Sequence, residues 1–143
     1  MFRCGIAAMA LLLVPLAACR GSDGGAVKPP AERAFVFGTR GVADVDGRFV
    51  AVTSDPIVLA KLEAELALPA AERFLHIHGP IARGDGGHNL AWSWHFVPGG
   101  WDLVEISAEV CDGTPRMVEA DVNSWVDKVG TFCPWSSYVQ GER

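Results

Sequence analysis

The sequence predicts an α+β domain with an antiparallel sheet of about five strands and two helices packed on it. Short stretches in which apolar and polar residues alternate, a pattern typical of half-buried strands, follow one another along the chain. Two other stretches begin with a capping residue and a proline and then carry apolar residues at helical spacing. Strands that mostly follow one another in sequence favour an antiparallel sheet with the helices on one face.

Residues 34–53 predict a β-hairpin. Phenylalanine alternates with smaller apolar residues over 34–37, and a short run rich in β-branched residues occupies 48–53. Between them, residues 44–47 combine aspartate with glycine, which are typical of turns. Because neighbouring strands joined by a short connection usually pair, we expect these two stretches to form the first antiparallel pair of the sheet.

Residues 56–67 predict the first helix. Asp55 is a favourable N-cap, and Pro56 occupies the first helical position, where its missing N–H would have no partner anyway. Pro69 marks the end of the helix. One stripe of leucines predicts the buried face of this helix: Leu59, Leu62 and Leu66.

The second half of the domain predicts three more strands, which turns containing glycine connect into a meander, followed by a second helix. The helix follows Thr114 and extends over residues 115–128, and residues 131–139 form a C-terminal tail. The predicted strands are residues 74–78, 90–97 and 101–110. The last strand is expected to bury the apolar residues of one face, namely Val104, Ile106, Ala108 and Val110.

The first eighteen residues predict a lipoprotein signal peptide. Arg3 gives a charged start, an apolar run follows, and Leu16-Ala17-Ala18-Cys19 is a lipobox. The run is too short to cross a hydrocarbon core of about 30 Å, which takes roughly 20 residues. We therefore predict lipidation of Cys19 and display of the protein in the cell envelope, facing the periplasm or the exterior. The alternative is an ordinary secretory signal that ends in a chance cysteine.

Residues 19–33 are rich in glycine, proline and charge without an apolar period, which predicts a flexible tether before a single domain at 34–143. The formal net charge is -5, and removal of Arg3 with the signal peptide leaves 11 basic residues against 17 acidic ones, a net charge of -6. Nucleic-acid binding requires a basic face, which this composition does not supply. We expect membrane contact through the lipid on Cys19 and no nucleic-acid partner.

Two of the four cysteines remain as free thiols after processing. Cys4 leaves with the signal peptide and Cys19 carries the lipid through its sulfur, so Cys111 and Cys133 remain. In an oxidising compartment we expect such a pair to form a disulfide. The alternative is two separate buried thiols, because the sequence alone does not show that their Cα atoms lie within bonding distance.

Three segments together resemble a known family. They are Asn-Leu-Ala-Trp-Ser-Trp-His-Phe at 89–96, Glu-Val-Cys-Asp-Gly at 109–113 and Phe-Cys-Pro-Trp-Ser at 132–136. In this order they are similar to a small domain family, widespread in bacteria, that is named after the N-terminal domain of an amoebal calmodulin-binding protein. The resemblance covers about residues 37–139.

This resemblance implies a shared fold and a bridge between Cys111 and Cys133, but no particular function, since the family has no established activity and no agreed catalytic residues. Calmodulin binding is not expected here, because the chain is acidic and has no basic amphipathic helix.

Three histidines carry a metal hypothesis. His76 and His78 point to the same side of one predicted strand, and His95 on the next strand could stand opposite them, which would give the three nitrogens of an open zinc site. A zinc-dependent enzyme is therefore one alternative. The other interpretation is that His76 and His78 line a half-polar face and that His95 is a buried histidine donating to a carbonyl oxygen. We favour the second interpretation and expect no metal and no cofactor.

The favoured function is non-catalytic binding of a protein or small molecule. Flexible loops at 84–89 and 98–101 offer Asn89 and Trp101, and we expect Trp101, behind a Gly-Gly turn, to be an exposed binding aromatic. Trp135 is the third candidate. A further alternative is a protease inhibitor whose disulfide-braced loop at 132–136 enters a cleft. The sequence contains no phosphate loop and no nucleophile elbow, so an enzyme is the less favoured class.

Overall fold

The structure is a computed structural model that describes residues 30–143. The predicted signal peptide at 1–18, the lipidation site Cys19 and nearly all of the predicted tether at 19–33 lie outside the described residues. Within the described range, no helix is long and apolar enough to cross a membrane. The first strand begins at Arg33, one residue before the predicted start of the domain.

The described range contains seven strands and four α-helices, with a 3-10 turn at Glu109–Cys111 and a π-helical turn at Trp125–Val129. The strands are β1 (Arg33–Thr39), β2 (Phe49–Thr53), β3 (His76–Arg83), β4 (Trp94–Phe96), β5 (Asp102–Val104), β6 (Thr131–Phe132) and β7 (Ser137–Glu142). The helices are α1 (Asp44–Gly47), α2 (Pro56–Ala67), α3 (Pro115–Ala120) and α4 (Val122–Ser124).

The strands form two antiparallel sheets. The α+β class is confirmed, but the single sheet of about five strands is wrong. The first sheet has the order β2-β1-β7, and in the second β4, β5 and β6 each pair with β3. The predicted hairpin is confirmed, because β1 and β2 pair with Val36 opposite Val50. Its connection contains the single helical turn α1 rather than an open turn.

The two sheets contribute to one aromatic core. Phe35 and Phe37 on β1 are fully buried, as are Trp94 and Phe96 on β4. The ring of Phe49 on β2 joins them, with its centroid 5.8 Å from that of Trp94 and 5.7 Å from that of Phe96. Because aromatic residues of one sheet pack directly against those of the other, the later strands form a second sheet rather than extending the first.

The predicted meander is wrong at its central turn. Residues 81–83 of β3 pair with β4 and residues 76–78 pair with β5, both antiparallel. β4 and β5 therefore run in the same direction, and residues 97–101 loop out between them instead of reversing the chain. The looped backbone lies against Gly79, where a Cβ would stand 2.6 Å from the Cα of Trp101. Only glycine allows this close approach.

The second half of the predicted meander ends early. Each of the predicted strands at 90–97 and 101–110 is reduced to three residues in the structure. After Val104 the chain leaves the sheet and enters the 3-10 turn that ends at Cys111. Ile106 and Val110 are consequently 87% and 74% exposed, so their predicted place on a buried face is wrong.

α2 is confirmed over its full predicted length. The Asp55 carboxylate accepts hydrogen bonds from the N–H groups of Ile57 and Val58, at 2.7 Å and 3.4 Å. These bonds satisfy donors that the first turn of a helix otherwise leaves unpaired. The buried face is rotated slightly from the prediction: Val58, Leu62 and Glu65 are buried, whereas Leu59 and Leu66 are partly buried against the core.

The second predicted helix and the disulfide are also confirmed. α3, α4 and the π-helical turn follow one another from Pro115 to Val129, and Gly130, with a positive φ of 78°, ends them. Cys111 is bonded to Cys133, with their Cα atoms 5.2 Å apart. The N–H of Cys133 also donates to the carbonyl of Cys111 at 2.8 Å. The bridge thus fixes the start of the C-terminal tail next to the end of the 105–110 segment.

Candidate functional site

The structure places the three predicted binding residues at three separate clefts. Asn89 lines a cleft of about 460 Å³, Trp101 lines one of about 360 Å³, and Trp135 lines one of about 270 Å³. The predicted binding loops therefore do not converge on one surface. Each residue has to be judged by its own contacts.

Asn89 is a buried structural residue. Its side chain is 1% exposed, its Oδ1 accepts from the N–H of Val50 at 2.9 Å, and its Nδ2 donates to the carbonyl of Trp94 at 2.8 Å. Val50 lies on β2, at the edge of the first sheet, and Trp94 lies on β4 in the second. Asn89 therefore joins the two sheets with both ends of its amide group, which leaves little of that group for a ligand.

Trp101 is not an exposed aromatic, so that expectation is wrong. It is 3% exposed, and its indole Nε1 donates to the carbonyl of Val52 at 2.8 Å. The indole of Trp92 makes the same kind of bond to the carbonyl of Arg48. Together with Asn89, the two indoles satisfy backbone groups along the open edge of β2, which would otherwise be available for pairing with another strand.

Trp135 is exposed and held at two points. Its side chain is 45% exposed. The backbone N–H of Trp135 donates to the carboxylate of Asp112 at 2.9 Å, and its indole Nε1 donates to Ser107 Oγ at 2.8 Å. Its neighbours Cys133 and Pro134 are buried. A large aromatic side chain is thus presented to solvent in a fixed orientation.

The floor of the Trp135 cleft is a neutral polar pair. His76 on β3 is 3% exposed, and its Nε2 lies 2.7 Å from Ser107 Oγ. Burial lowers the pKa of His76 by disfavouring the charged imidazolium, and the nearby His78 acts in the same direction. Because an indole nitrogen can only donate, Ser107 Oγ accepts from Trp135 while it bonds to His76.

The rim of the cleft is apolar on two sides and acidic on another. Phe74 is 60% exposed just before β3, and Ile106 is 87% exposed in the segment that follows β5. Glu105 is the one residue lining the cleft that carries full charge at neutral pH. We use the name Trp135 cleft for the surface formed by Phe74, His76, Glu105, Ile106, Ser107 and Trp135.

The three histidines of the zinc hypothesis occupy different positions along β3 and its partners. His78 lies opposite Asp102 on β5, whereas His95 on β4 lies opposite Ala82, four residues further along β3. Four residues of extended strand span about 13 Å. His76 bonds to Ser107, and His95 Nδ1 instead lies 2.7 Å from the carbonyl of Gly84. In residues 30–143 no group of three or more His, Cys, Asp or Glu is arranged to hold a metal ion.

Three residues of the Trp135 cleft were not among the predicted site residues. Phe74 and Ile106 were assigned to strands on the basis of alternation, and Ser107 has no distinguishing motif. The only sequence signal for this surface is Trp135 itself, next to a cysteine and a proline. The other residues reach it through the path of the chain on either side of Cys111, which has no short-range signature.

A comparison with protein families supports the fold assignment. The family model for the N-terminal domain of the amoebal calmodulin-binding protein matches residues 31–143, which is nearly all of the described range. This confirms the family that the segments at 89–96, 109–113 and 132–136 resemble. Neither the curated proteins nor the solved structures include a match to the chain.

Proposed function

The chain belongs to the family named after that amoebal N-terminal domain, and we propose that it is an envelope-anchored lipoprotein whose single domain is a non-catalytic binding module. The Trp135 cleft is the proposed binding surface, and its occupant is an apolar segment of a partner protein. The observation that carries the proposal is Trp135: 45% of its side chain is exposed although its backbone and its indole are both fixed by hydrogen bonds.

A fixed aromatic favours binding for an energetic reason. A side chain already held in its bound orientation loses little conformational entropy when a partner covers it. Tryptophan is enriched among the residues that dominate interface energies, where truncation to alanine costs about 2 kcal/mol or more. The Ser107 hydroxyl holds the indole from one side, and the disulfide at Cys133 holds the backbone close by.

The size of the cleft favours a protein over a small molecule. Its volume is about 270 Å³, below the range of about 300–1,000 Å³ usual for small-molecule pockets. Phe74 and Ile106 extend the apolar surface outward past the cleft, which suits a protein segment that covers them at the same time. Glu105 on the rim favours a segment that has a basic residue beside its apolar one.

Photo-crosslinking tests this surface in the cell. Ile106→p-benzoylphenylalanine is expected to give one dominant crosslinked adduct with a partner protein, because position 106 borders the proposed contact. Adding Trp135→Ala to the same chain is expected to abolish the adduct, since loss of about 2 kcal/mol weakens binding roughly 30-fold. Adducts are measured by immunoblot and the partner is identified by mass spectrometry.

The matched control places the same crosslinker on another exposed apolar residue. Met117 on α3 is 54% exposed and does not line the Trp135 cleft. Equal adducts from positions 106 and 117, or an adduct at 106 that survives Trp135→Ala, would contradict the proposed surface.

The two alternative functions have less support. The inhibitor hypothesis requires an extended exposed loop at 132–136, yet Phe132 and Cys133 are fully buried and only Trp135 and Ser136 are exposed. The zinc hypothesis requires His76, His78 and His95 to approach one another, and their positions along β3 and β4 do not favour it.

The proposed membrane anchor has its own test. Cys19→Ser is expected to move the protein from the membrane fraction to the soluble fraction, because stable anchoring here depends on acyl chains. Fractionation in high salt followed by immunoblot measures the distribution, with Cys4→Ser as the matched control that is expected to stay with the membrane. Continued sedimentation of the Cys19→Ser protein with membranes would refute lipid anchoring.

A further inference from the structure

A pair of histidines flanks Gly86, away from the Trp135 cleft. The ring centroids of His88 and His95 are 5.5 Å apart. Gly86 lies against both rings: a Cβ built on it would stand 2.8 Å from Cε1 of His88 and 2.6 Å from Cδ2 of His95. The backbone φ of Gly86 is +61°, which further restricts this position to glycine. The absence of a side chain at Gly86 is thus what allows the two rings to approach.

Hydrogen bonds fix the tautomers of both rings. His88 Nδ1 lies 2.9 Å from the carbonyl oxygen of Gly86, and His95 Nδ1 lies 2.7 Å from the carbonyl oxygen of Gly84. A carbonyl oxygen only accepts, so each Nδ1 carries the proton and donates it. In the neutral form, Nε2 of each ring therefore has a free lone pair.

His88 Nε2 is a buried acceptor without a partner. It is shielded from solvent, and within the described part of the chain no donor reaches it. Burial is also the main cause that lowers the pKa of His88, so the ring is neutral and cannot donate from this nitrogen near neutral pH. An unsatisfied buried polar atom of this kind requires an explanation, and an ion is one of the few groups that supply it.

We propose that His88 and His95 bind one late first-row divalent cation, Zn²⁺ or Cu²⁺, through their Nε2 atoms. Imidazole nitrogen suits these ions, and a backbone carbonyl that accepts from Nδ1 is the usual way in which a metal-binding histidine is oriented. Two imidazoles that share an ion at about 2.0–2.1 Å place their ring centres roughly 5–6 Å apart. The observed 5.5 Å lies in that range.

The site has an open coordination sphere. Residues 30–143 contain no third His, Cys, Asp or Glu close enough to complete a set of protein ligands. Water or a ligand from outside the domain fills the remaining positions of the ion. This arrangement differs from the zinc hypothesis drawn from the sequence, in which His95 was grouped with His76 and His78.

Nitrogen-15 NMR of the histidine side chains tests the proposal on the full chain in detergent, with Zn²⁺ as the probe. Before metal is added, both rings are expected to show the Nδ1–H tautomer. On titration, the Nε2 signals of His88 and His95 are expected to shift together and to saturate at one ion per chain. His88→Ala is expected to remove the shift of His95, and His95→Ala that of His88.

His78→Ala is the matched control, since His78 is half-buried on the same sheet but outside the pair. It is expected to leave both shifts unchanged. The proposal is overturned if the Nε2 signals of His88 and His95 do not move with Zn²⁺, if each moves independently of the other residue, or if either ring shows the Nε2–H tautomer in the metal-free protein. Crosslinking at the Trp135 cleft is independent of all three outcomes.

Discussion

Glu65→Ala is expected to lower the free energy of unfolding by about 2–6 kcal/mol. Glu65 is 3% exposed on the buried face of α2. Its Oε2 accepts from the backbone N–H of Phe74 at 2.9 Å and from that of Leu75 at 3.2 Å. Removal of the carboxylate leaves both donors without their partner, and each unsatisfied buried group costs about 1–3 kcal/mol. Urea denaturation followed by circular dichroism measures the loss.

Two further variants define the cause. Glu63→Ala removes a carboxylate from the same helix, but that side chain is 61% exposed and its partner is Arg33, so we expect a change within about 0.5 kcal/mol. Glu65→Gln keeps one oxygen that can accept, so its loss is expected to lie between those of the other two variants. If Glu65→Ala and Glu63→Ala were equally stable, the hydrogen bonds to residues 74–75 would not be what anchors this segment.

The effect reaches the proposed binding surface. Phe74 forms part of the rim of the Trp135 cleft, and Glu65 holds its backbone in place from α2. The guanidinium of Arg73 adds to the same anchor, because it donates to the carbonyls of Leu68 at the end of α2 and of Val139 on β7. The segment between α2 and β3 is therefore fixed by two buried or half-buried charged side chains rather than by strand pairing.

Elements with short-range signals could be predicted from the sequence. α2 has its cap, its proline and its apolar stripe within a few residues of one another, and the structure confirms its bounds. The hairpin of β1 and β2 depends on a connection of similar length. The predicted strand at 101–110 failed because its alternation is equally compatible with an exposed segment. Only the pairing with β3, which ends at Val104, distinguishes the two.

The candidate site illustrates the same limit. Trp101 follows two glycines and was expected to be exposed, yet it satisfies a carbonyl at the edge of β2. Nothing near residue 101 in the sequence indicates that β2 has an open edge. Glu65 gave a usable signal, since it is a charged residue at helical spacing from Leu62 and Val58 on the side that becomes buried. Ser107 gave none, because its role depends on both His76 and Trp135.

Loss of the disulfide is expected to cost about 3 kcal/mol of stability and to abolish crosslinking at position 106. Cys111 and Cys133 are separated by 22 residues, and a bridge across a loop of this size restricts the unfolded chain by about that amount. In Cys111→Ala with Cys133→Ala, the segment that carries Trp135 loses its covalent link to Asp112 and its neighbours. Denaturation of this variant and of the wild type, each with thiols checked by alkylation and intact mass, measures the first effect.

The second effect separates fixation of Trp135 from stability of the domain. Asp112→Ala keeps the disulfide but removes the acceptor of the Trp135 backbone N–H. We expect it to cost about 1–3 kcal/mol, the range for a hydrogen bond to a charged group, and to reduce crosslinking at position 106 under conditions in which the protein stays folded. If both variants crosslink as the wild type does, binding does not depend on a fixed Trp135. In that case the exposed apolar residues Phe74 and Ile106 are sufficient for the contact by themselves.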